Sequence, residues 1–350
     1  MAIKSDDIII LLGAGCSIEA GIPTSSKMIQ EIEKPEFLNA HSTDHDYSQL
    51  YYYIKSAIIY GQGIQGRFDS HPNIEDLINV LSELEKRENN LVYPFIANWN
   101  NLLINLAGLD FKCVSEFKSM IHEKLKSWVR IDNYKPDASY YERFYSFQKE
   151  LEHPLRVFSL NYDMCFEHLK PDSCNLELGF DENNYWNYAR FEDTNIEAAV
   201  YLYKLHGSID WKRENAQLKK CDTPTEDPEL IFGVPDKLQS YDPYLFYIYE
   251  LRQYSLGSKL IVVIGYGFGD DHINDLMRQA LQANPDRKLL CVTPCDEESK
   301  QKEFIKNALE LDSDGQIIIA NKKAKDFLEN DLNKNYINPF IASDEEEPFS

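Results

Sequence analysis

The sequence predicts an α/β protein with a mostly parallel sheet and a helical insertion between its first and second strands. Three observations lead to this prediction. Short, nearly continuous apolar runs recur along the chain, as in strands that are covered on both faces. Amphipathic segments with helical spacing separate the later runs, which is typical of alternating strands and helices. The stretch from 27 to 150, in contrast, contains helical patterns only.

The predicted strands are short, rich in β-branched residues, and several end in glycine or in a polar residue. They are Asp6 to Leu12, Leu155 to Leu160, Val200 to Leu205, Leu230 to Phe232, Leu260 to Ile264, Leu289 to Val292 and Gln316 to Ala320. Between the later strands, helical spacing is clearest at Ile273, Leu276, Met277, Ala280 and Leu281, and again at Ala324, Phe327 and Leu328.

The helical stretch has its own signals. Asn73 is a predicted N-cap with Asp76 three residues later, and an apolar helical face follows it. We therefore predict a discontinuous sheet domain of residues 1–26 and 151–340, a helical insertion subdomain of residues 27–150, and an acidic tail of residues 341–350.

The charge balance bears on function. With 36 Lys and Arg against 58 Asp and Glu, the net charge is −22, which disfavours direct nucleic-acid binding because such binding depends on cations that neutralise phosphates. The longest apolar runs are strand-sized and much shorter than the roughly 20 residues of a membrane span. We expect a cytoplasmic protein without a membrane segment.

The seven cysteines are scattered and contain no Cys-x-x-Cys pair. We therefore expect reduced thiols and no bound metal. A metal-dependent hydrolase is an alternative that would use His41, Asp44, His45 and Asp46, but a polar loop also accounts for these residues.

The strongest local signal is LLGAGCSIEAGIP, Leu11 to Pro23, where an apolar strand runs into Gly13 and Gly15. Two glycines separated by one residue allow a sharp turn and a close approach to a pyrophosphate, as in Rossmann-like folds. A tight structural turn is the alternative. Position 18 is Ile where a third glycine would stand, and Pro23 argues against a long helix. We expect a loop to follow Pro23.

Three other predicted strands end in residues suited to binding or catalysis. The second ends near Asn161 and Asp163, and the third ends at His206. The strand from Leu260 ends in Gly265 and Gly267, and a capped helix follows at Asp270. Each has a plain structural explanation as a turn former or a core histidine. Because the carboxyl ends of parallel strands share one edge of a sheet, we expect these residues to form one ligand site.

In GAGCSIEAGIP, LNYD, LHG and GYGF, the sequence resembles the sirtuin-like NAD-consuming fold, with the motifs in the family's order. The resemblance implies Asn161 and His206 as the catalytic residues, with His206 as the base. It also implies a set of NAD-binding residues, with Asp163 on the nicotinamide carboxamide: Gly13, Ala14, Gly15, Ser17, Ile22, Pro23, Asp163, Gly265, Gly267 and Thr293.

Departures from the protein deacylases of that family narrow the expected activity. The Phe-Arg pair expected after Gly-Ile-Pro is replaced by Thr24-Ser25-Ser26, Leu160 stands where a Gln is expected, and a four-cysteine zinc module is missing. The pattern is more similar to bacterial sirtuin-like NAD hydrolases of anti-phage defence. That resemblance implies NAD as substrate, and it implies a HerA-type ATPase or a short Argonaute as a partner.

Other functions remain open. A dehydrogenase would need an acidic residue at the end of a second strand about 20 residues after the glycines, and none is predicted there. A sensor that binds NAD or ADP-ribose without turnover, and a protein deacylase, are the remaining alternatives. Since NAD destruction harms the cell, we also expect a homo-oligomer or a partner to hold the activity low.

Overall fold

The computed structural model describes residues 3–39, 47–64, 66, 72–86, 101–108, 110–225, 228–230 and 242–341. Clustering of internal contacts divides the chain into two compact units. The first comprises Met1–Ile22, Arg130–Leu230 and Gln239–Ser350, and the second comprises Pro23–Val129 and Ile231–Leu238. The alternative metal ligands His41, Asp44, His45 and Asp46 lie outside the described residues, as does the predicted acidic tail beyond Ile341.

The first unit is built on a seven-stranded sheet whose strands are β1 Ile8–Leu12, β2 Leu155–Ser159, β3 Leu176–Glu177, β4 Val200–Lys204, β7 Leu260–Ile264, β8 Lys288–Val292 and β9 Ile317–Ala320. Their order in the sheet is β3-β4-β2-β1-β7-β8-β9, and every pair of neighbours is parallel. A separate antiparallel hairpin consists of β5 Trp211–Glu214 and β6 Gln217–Lys220. β1, β4 and β7 are buried at all five of their residues, as expected for strands covered on both faces.

Within the first unit, helices alternate with the later strands in the chain order expected of β-α-β units. The helix ranges of the second unit are α1 Ser25–Ile32, α2 Pro35–Leu38, α3 Tyr47–Ile64, α4 Ile74–Glu85, α5 Asn101–Ala107 and α6 Lys112–Val129. Those of the first unit are α7 Tyr134–Asp137, α8 Glu142–Leu151, α9 Cys165–His168, α10 Ala189–Glu192, α11 Tyr244–Gly257, α12 Asp271–Ala283, α13 Glu298–Ala308, α14 Ala324–Asn330 and α15 Lys334–Ile337. Short 3₁₀ helices occupy Ala14–Ala20, Ser139–Tyr141 and Asn338–Phe340.

The predicted fold class is confirmed: the sheet is parallel, and a long helical stretch separates β1 from β2. The prediction omitted β3 and the β5–β6 hairpin, which lack long apolar runs. The predicted strand Leu230 to Phe232 is described only at Leu230, which forms a single bridge with Gly207. The remainder of that segment lies outside the described residues.

The second unit packs its helices around an apolar core. In α4, Asn73 caps the helix by accepting from the Asp76 amide at 2.8 Å, while the Asp76 carboxylate accepts from the Asn73 amide at 3.1 Å. Tyr47 of α3 stacks on Phe117 of α6, with ring centroids 5.6 Å apart. The contact boundary after Val129 places α7 and α8, which precede residue 151, with the sheet unit.

The loop predicted after Pro23 is shorter than expected. The segment from Gly21 to Thr24 leads directly into α1. The Thr24 hydroxyl oxygen caps the first turn of this helix by accepting from the Lys27 amide at 3.3 Å. Met28 and Ile32 lie on the buried face of this helix. The apolar spacing and the threonine cap therefore outweigh the tendency of the preceding Gly-Ile-Pro to form an extended loop. Within the described ranges, we find no helix with the length and apolar character needed to cross a bilayer.

Candidate active site

The candidate site lies at the carboxyl ends of the central strands. β1 is hydrogen-bonded to β2 on one side and to β7 on the other. The chain thus leaves β1 towards one half of the sheet and returns at β7 to build the other half. Open parallel sheets bind ligands at this kind of topological switch point.

Glycines line the β7 side of the switch point. The Gly13 amide donates to the Ile264 carbonyl at 2.9 Å, and the Gly15 amide donates to the Gly265 carbonyl at 2.7 Å. A Cβ on Gly13 would lie 2.5 Å from the Tyr266 Cα, and a Cβ on Gly15 would lie 2.6 Å from the Gly265 Cα. These two glycines are therefore required because the backbones of the two exit loops touch.

Gly265 and Gly267 differ in whether a side chain would fit at their positions. Gly265 has φ +67°, and a Cβ there would lie 2.3 Å from the Cys16 amide nitrogen. A Cβ on Gly267 would meet nothing within 4 Å. Packing therefore explains Gly265 and does not explain Gly267. Ala14, between the first two glycines, is exposed.

Polar side chains lie on the β2 side of the switch point. Ser17 donates its hydroxyl hydrogen to Asp163 Oδ2 at 2.8 Å, and Asn161 Nδ2 donates to Ser17 Oγ at 3.1 Å. The hydroxyl of Tyr141 lies 2.8 Å from Ser17 Oγ. Since the single Ser17 hydrogen is used on Asp163, Tyr141 is the donor in that pair. All four side chains are buried.

Hydrogen bonding and burial determine which groups of this cluster are charged. The second oxygen of Asp163 accepts from the Cys165 amide at 3.0 Å, so both carboxylate oxygens are hydrogen-bonded. Burial raises the pKa of Tyr141 well above its usual value, which keeps its hydroxyl protonated and able to donate. Burial also raises the pKa of the Cys16 thiol, to about 12, and raises that of Cys165. These thiols are therefore neutral and poor nucleophiles.

The 3₁₀ helix Ala14–Ala20 connects the two sides. Its Cys16 carbonyl accepts from the hydroxyl of Tyr140 at 2.7 Å, and Gly21, with φ +97°, ends it. Ile22 is buried beyond that turn, and Pro23 is the first residue of the second unit. Thr293 is partly buried and directly follows β8, so it lies at the same sheet edge.

His206, at the end of β4, lies beside Asp270. Its Nε2 lies 3.1 Å from Asp270 Oδ2, and both residues are buried. The imidazole ring is 6.2 Å from the ring of Tyr162, which lies between the two polar residues at the end of β2. Among the described residues, His206 and Asn161 share no hydrogen bond. The exit loops of β2 and β4 are joined instead by the Ile209 amide, which donates to the Tyr162 carbonyl at 3.1 Å.

A buried lysine supports both loops. Lys204, the last residue of β4, donates to the Asp163 carbonyl at 2.6 Å, to Glu167 Oε1 at 2.9 Å and to Ser208 Oγ at 2.6 Å. Ser208 donates in turn to Asp210. Burial alone would lower the pKa of Lys204, but Glu167 and Asp210 outweigh that effect and raise it. The ammonium group uses all three of its hydrogens to join the β2 exit to the β4 exit.

Sequence reasoning missed Tyr141, Lys204 and Asp270. Lys204 had a usable signal, because it is a charged residue at the end of an otherwise apolar strand. Asp270 was recognised only as a helix cap, and no pattern in the sequence singles out Tyr141. Within the described ranges, no group of three or more His, Cys, Asp or Glu residues could hold a metal ion.

Comparisons with known proteins find similarity to one domain family and to several solved structures. Residues 155–312 match a family model described as SIR2-like domain. A comparison with curated proteins finds no match. The solved structures that resemble this chain include a mutant Sir2 homologue in complex with 2′-O-acetyl ADP ribose, with 12% sequence identity, a TM-score of 0.45, and coverage of 96% of this chain and 95% of that chain.

Two further structures are similar. One is a Sir2 homologue in complex with NAD, with 11% identity, a TM-score of 0.45, and coverage of 95% of this chain and 90% of that one. The other is Sir2Tm bound to a propionylated peptide, with 12% identity, a TM-score of 0.38, and coverage of 92% and 90%. The part of this chain that matches the SIR2-like domain therefore runs from β2 to just beyond α13, and it contains Asn161, Asp163, His206 and Asp270.

Proposed function

We propose that this protein is an NAD glycohydrolase, which cleaves the nicotinamide glycosidic bond and acts in anti-phage defence by depleting NAD. The observation that carries the proposal is the buried cluster of Ser17, Asn161 and Asp163 at the ends of β1 and β2. The match of residues 155–312 to the SIR2-like domain supports NAD as the substrate.

The reaction needs little acid catalysis, because nicotinamide in NAD is already a cationic leaving group. The bond between the ribose C1′ and the nicotinamide nitrogen breaks, and its electron pair stays with the nicotinamide. Water adds to C1′ and loses a proton, which gives ADP-ribose, nicotinamide and H⁺ through an oxocarbenium-like state. The protein must therefore position the ribose, exclude bulk water and accept one proton.

The side chains at the site suit these tasks. Asn161 uses Nδ2 to bind Ser17, which leaves Oδ1 to accept from a ribose hydroxyl or a water molecule. Ser17 and the Cys165 amide hold Asp163 in place near the leaving-group end. His206 is the proton acceptor, since a neutral imidazole keeps one ring nitrogen with a lone pair that can take a proton.

The departures at Leu160 and at Thr24-Ser25-Ser26 support hydrolysis over deacylation. The deacylase alternative predicts that nicotinamide release depends on an acyl-lysine peptide. The sensor alternative predicts NAD binding without release. The product, ADP-ribose or its cyclic form, follows from whether water or an internal group of the substrate attacks C1′.

The deciding experiment measures free nicotinamide from purified protein and NAD, with and without an acyl-lysine peptide. We expect peptide-independent release that falls at least about 100-fold in Asn161→Ala and in His206→Ala. Asn183→Ala, at an exposed asparagine of the same unit, is the matched control and should retain wild-type turnover. Near-normal turnover in both site variants would refute the assignment of these residues.

The proposal includes no metal and predicts control by assembly. Turnover should survive dialysis against a chelator. We propose that a homo-oligomer, a HerA-type ATPase or a short Argonaute restrains the enzyme, since unrestrained NAD loss would be toxic. Light scattering combined with turnover across a dilution series tests this point. Concentration-independent turnover of a monomer that co-expressed partners leave unchanged would contradict it.

A further inference from the structure

The contact between His206 and Asp270 spans the middle of the sheet. His206 follows β4 and Asp270 follows β7, and β2 and β1 lie between these strands. With strands about 4.8 Å apart, β4 and β7 are separated by roughly 14 Å. The Nε2 of His206 nevertheless lies 3.1 Å from Asp270 Oδ2. The two exit loops therefore meet across the carboxyl ends of β2 and β1, where Asn161 and Gly13 are located.

The Asp270 carboxylate is held on several sides. Its Oδ1 accepts from the His272 amide at 3.2 Å, as the N-cap of the 13-residue helix α12. Its own amide donates to the hydroxyl of Tyr266 at 3.0 Å. The negative charge also lies at the positive end of the helix dipole. Asp270 and His206 are 7% and 5% exposed, so water competes little for their contact.

We propose that Asp270 is a positioning residue for His206 in NAD cleavage, an inference that rests on the proposed function. A carboxylate accepts hydrogen bonds but does not donate them, so it fixes the imidazole hydrogen on Nε2. The lone pair is then on Nδ1, which becomes the nitrogen that takes a proton from the attacking water. Asp270 also stabilises the imidazolium that forms in that step, as the acidic member of a Ser-His-Asp triad does.

A purely structural role for Asp270 gives a different expectation, because capping α12 requires only one side-chain oxygen. Asp270→Asn separates the two roles, since asparagine is an equally good N-cap. When its amide oxygen caps the His272 amide, the amide nitrogen takes the position facing His206 Nε2. That nitrogen donates, so the imidazole hydrogen must move to Nδ1 and the base is lost.

The kinetic test compares wild-type protein, Asp270→Asn and Asp271→Asn. Asp271 is exposed, begins the same helix and loses the same charge on substitution, which makes it the matched control. We expect kcat to fall about 100-fold or more in Asp270→Asn while KM changes only a few-fold, in line with the order of 10²–10⁴ for a positioned base. The melting temperature and the kinetics of Asp271→Asn should match wild type. Turnover of Asp270→Asn within about threefold of wild type would overturn the inference.

A second readout does not depend on turnover. In protein labelled with ¹⁵N-histidine, long-range proton–nitrogen correlation spectra report which ring nitrogen carries the hydrogen, and His206→Gln identifies the His206 signals. We expect hydrogen on Nε2 in wild type and on Nδ1 in Asp270→Asn. If Asp270→Asn does not fold, the wild-type spectrum alone decides, and hydrogen on Nδ1 would refute the inference. Absence of nicotinamide release from wild type would instead refute the proposed function.

Discussion

The two sides of β1 at the carboxyl edge of the sheet are built in opposite ways. Towards β7, Gly13, Gly15 and Gly265 bring two backbones into contact, and each Cβ that could be added there would lie 2.6 Å or less from a backbone atom. Towards β2, Ser17 and Asp163 belong to a cluster of buried polar side chains that hydrogen-bond to one another. The side towards β7 depends on the absence of side chains at three glycines, and the side towards β2 depends on hydrogen bonds between side chains.

This difference implies different sensitivities to substitution. The glycine side should tolerate no added atom, because close-packed backbone cannot move aside without breaking the hydrogen bonds of the sheet ends. The polar side should tolerate no removed partner, because a buried donor, acceptor or charge that loses its partner keeps the full cost of its desolvation. Cys16 lies where the two sides meet.

The largest effect is expected from Lys204→Met on the polar side. This variant replaces lysine by a slightly shorter apolar side chain. It leaves the carboxylates of Glu167, whose side chain is 8% exposed, and of buried Asp210 without their cation, so the free energy of unfolding should fall by about 3–5 kcal/mol. Urea unfolding measures the change. Lys300→Met, at an exposed lysine, is the control and should change stability by less than about 0.5 kcal/mol.

A charge effect and a packing effect can be separated for Lys204. Adding Glu167→Gln to Lys204→Met removes one of the two unpaired carboxylates and should restore part of the lost stability. If the double variant is no more stable than Lys204→Met, the polar side does not behave as a charge-compensated cluster.

A somewhat smaller effect is expected on the glycine side, from Gly265→Ala. The new Cβ would lie 2.3 Å from the Cys16 amide nitrogen at φ +67°, so strain and overpacking together should cost about 2–4 kcal/mol of unfolding free energy. Gly267→Ala, two residues later in the same loop, meets no atom within 4 Å and is the matched control. Equal losses in the two variants would show that the loop, and not the close backbone contact, sets the sensitivity.

The smallest effect concerns the thiol of Cys16. Its pKa rises from 9.0 to about 12 because it is buried and, to a smaller extent, because Asp163 lies near it. A raised pKa in the folded state contributes stability that is complete below about pH 9 and is lost as the pH rises towards 12. The free energy of unfolding of wild type should therefore fall more between pH 8 and pH 10.5 than that of Cys16→Ala. Parallel pH dependences, measured by urea unfolding, would contradict this expectation.

Most of the sheet could be predicted from the sequence because its strands are local apolar runs. The central strands match their predicted ranges within one or two residues, and the N-caps at Asn73 and Asp270 have the expected bonds. β3, two residues long, and the β5–β6 hairpin were not predicted. These elements form through pairing with distant segments rather than through their own composition.

The glycines, Asn161, Asp163 and His206 were all predicted at one sheet edge, and the structure places each of them there. The sequence did not predict which of these side chains are in contact. Asn161 and Asp163 meet through Ser17 from the β1 exit loop, whereas His206 pairs with Asp270, which the sequence suggested only as a cap. The position of Tyr141 beside Ser17 had no signal in the sequence at all.

The sequence by itself determined the strands, the glycine turns and the polar strand ends, because these depend on side-chain type and on spacing along a short stretch of chain. The tertiary structure decided which side chains meet. The sheet order places β4 on one side of the β2–β1 pair and β7 on the other, and this order cannot be read from the order of the strands along the chain. Partners such as His206 and Asp270, 64 residues apart, are brought together by the lengths of two exit loops above that sheet. No local pattern encodes such a distance, since it exists only once the strands are in register.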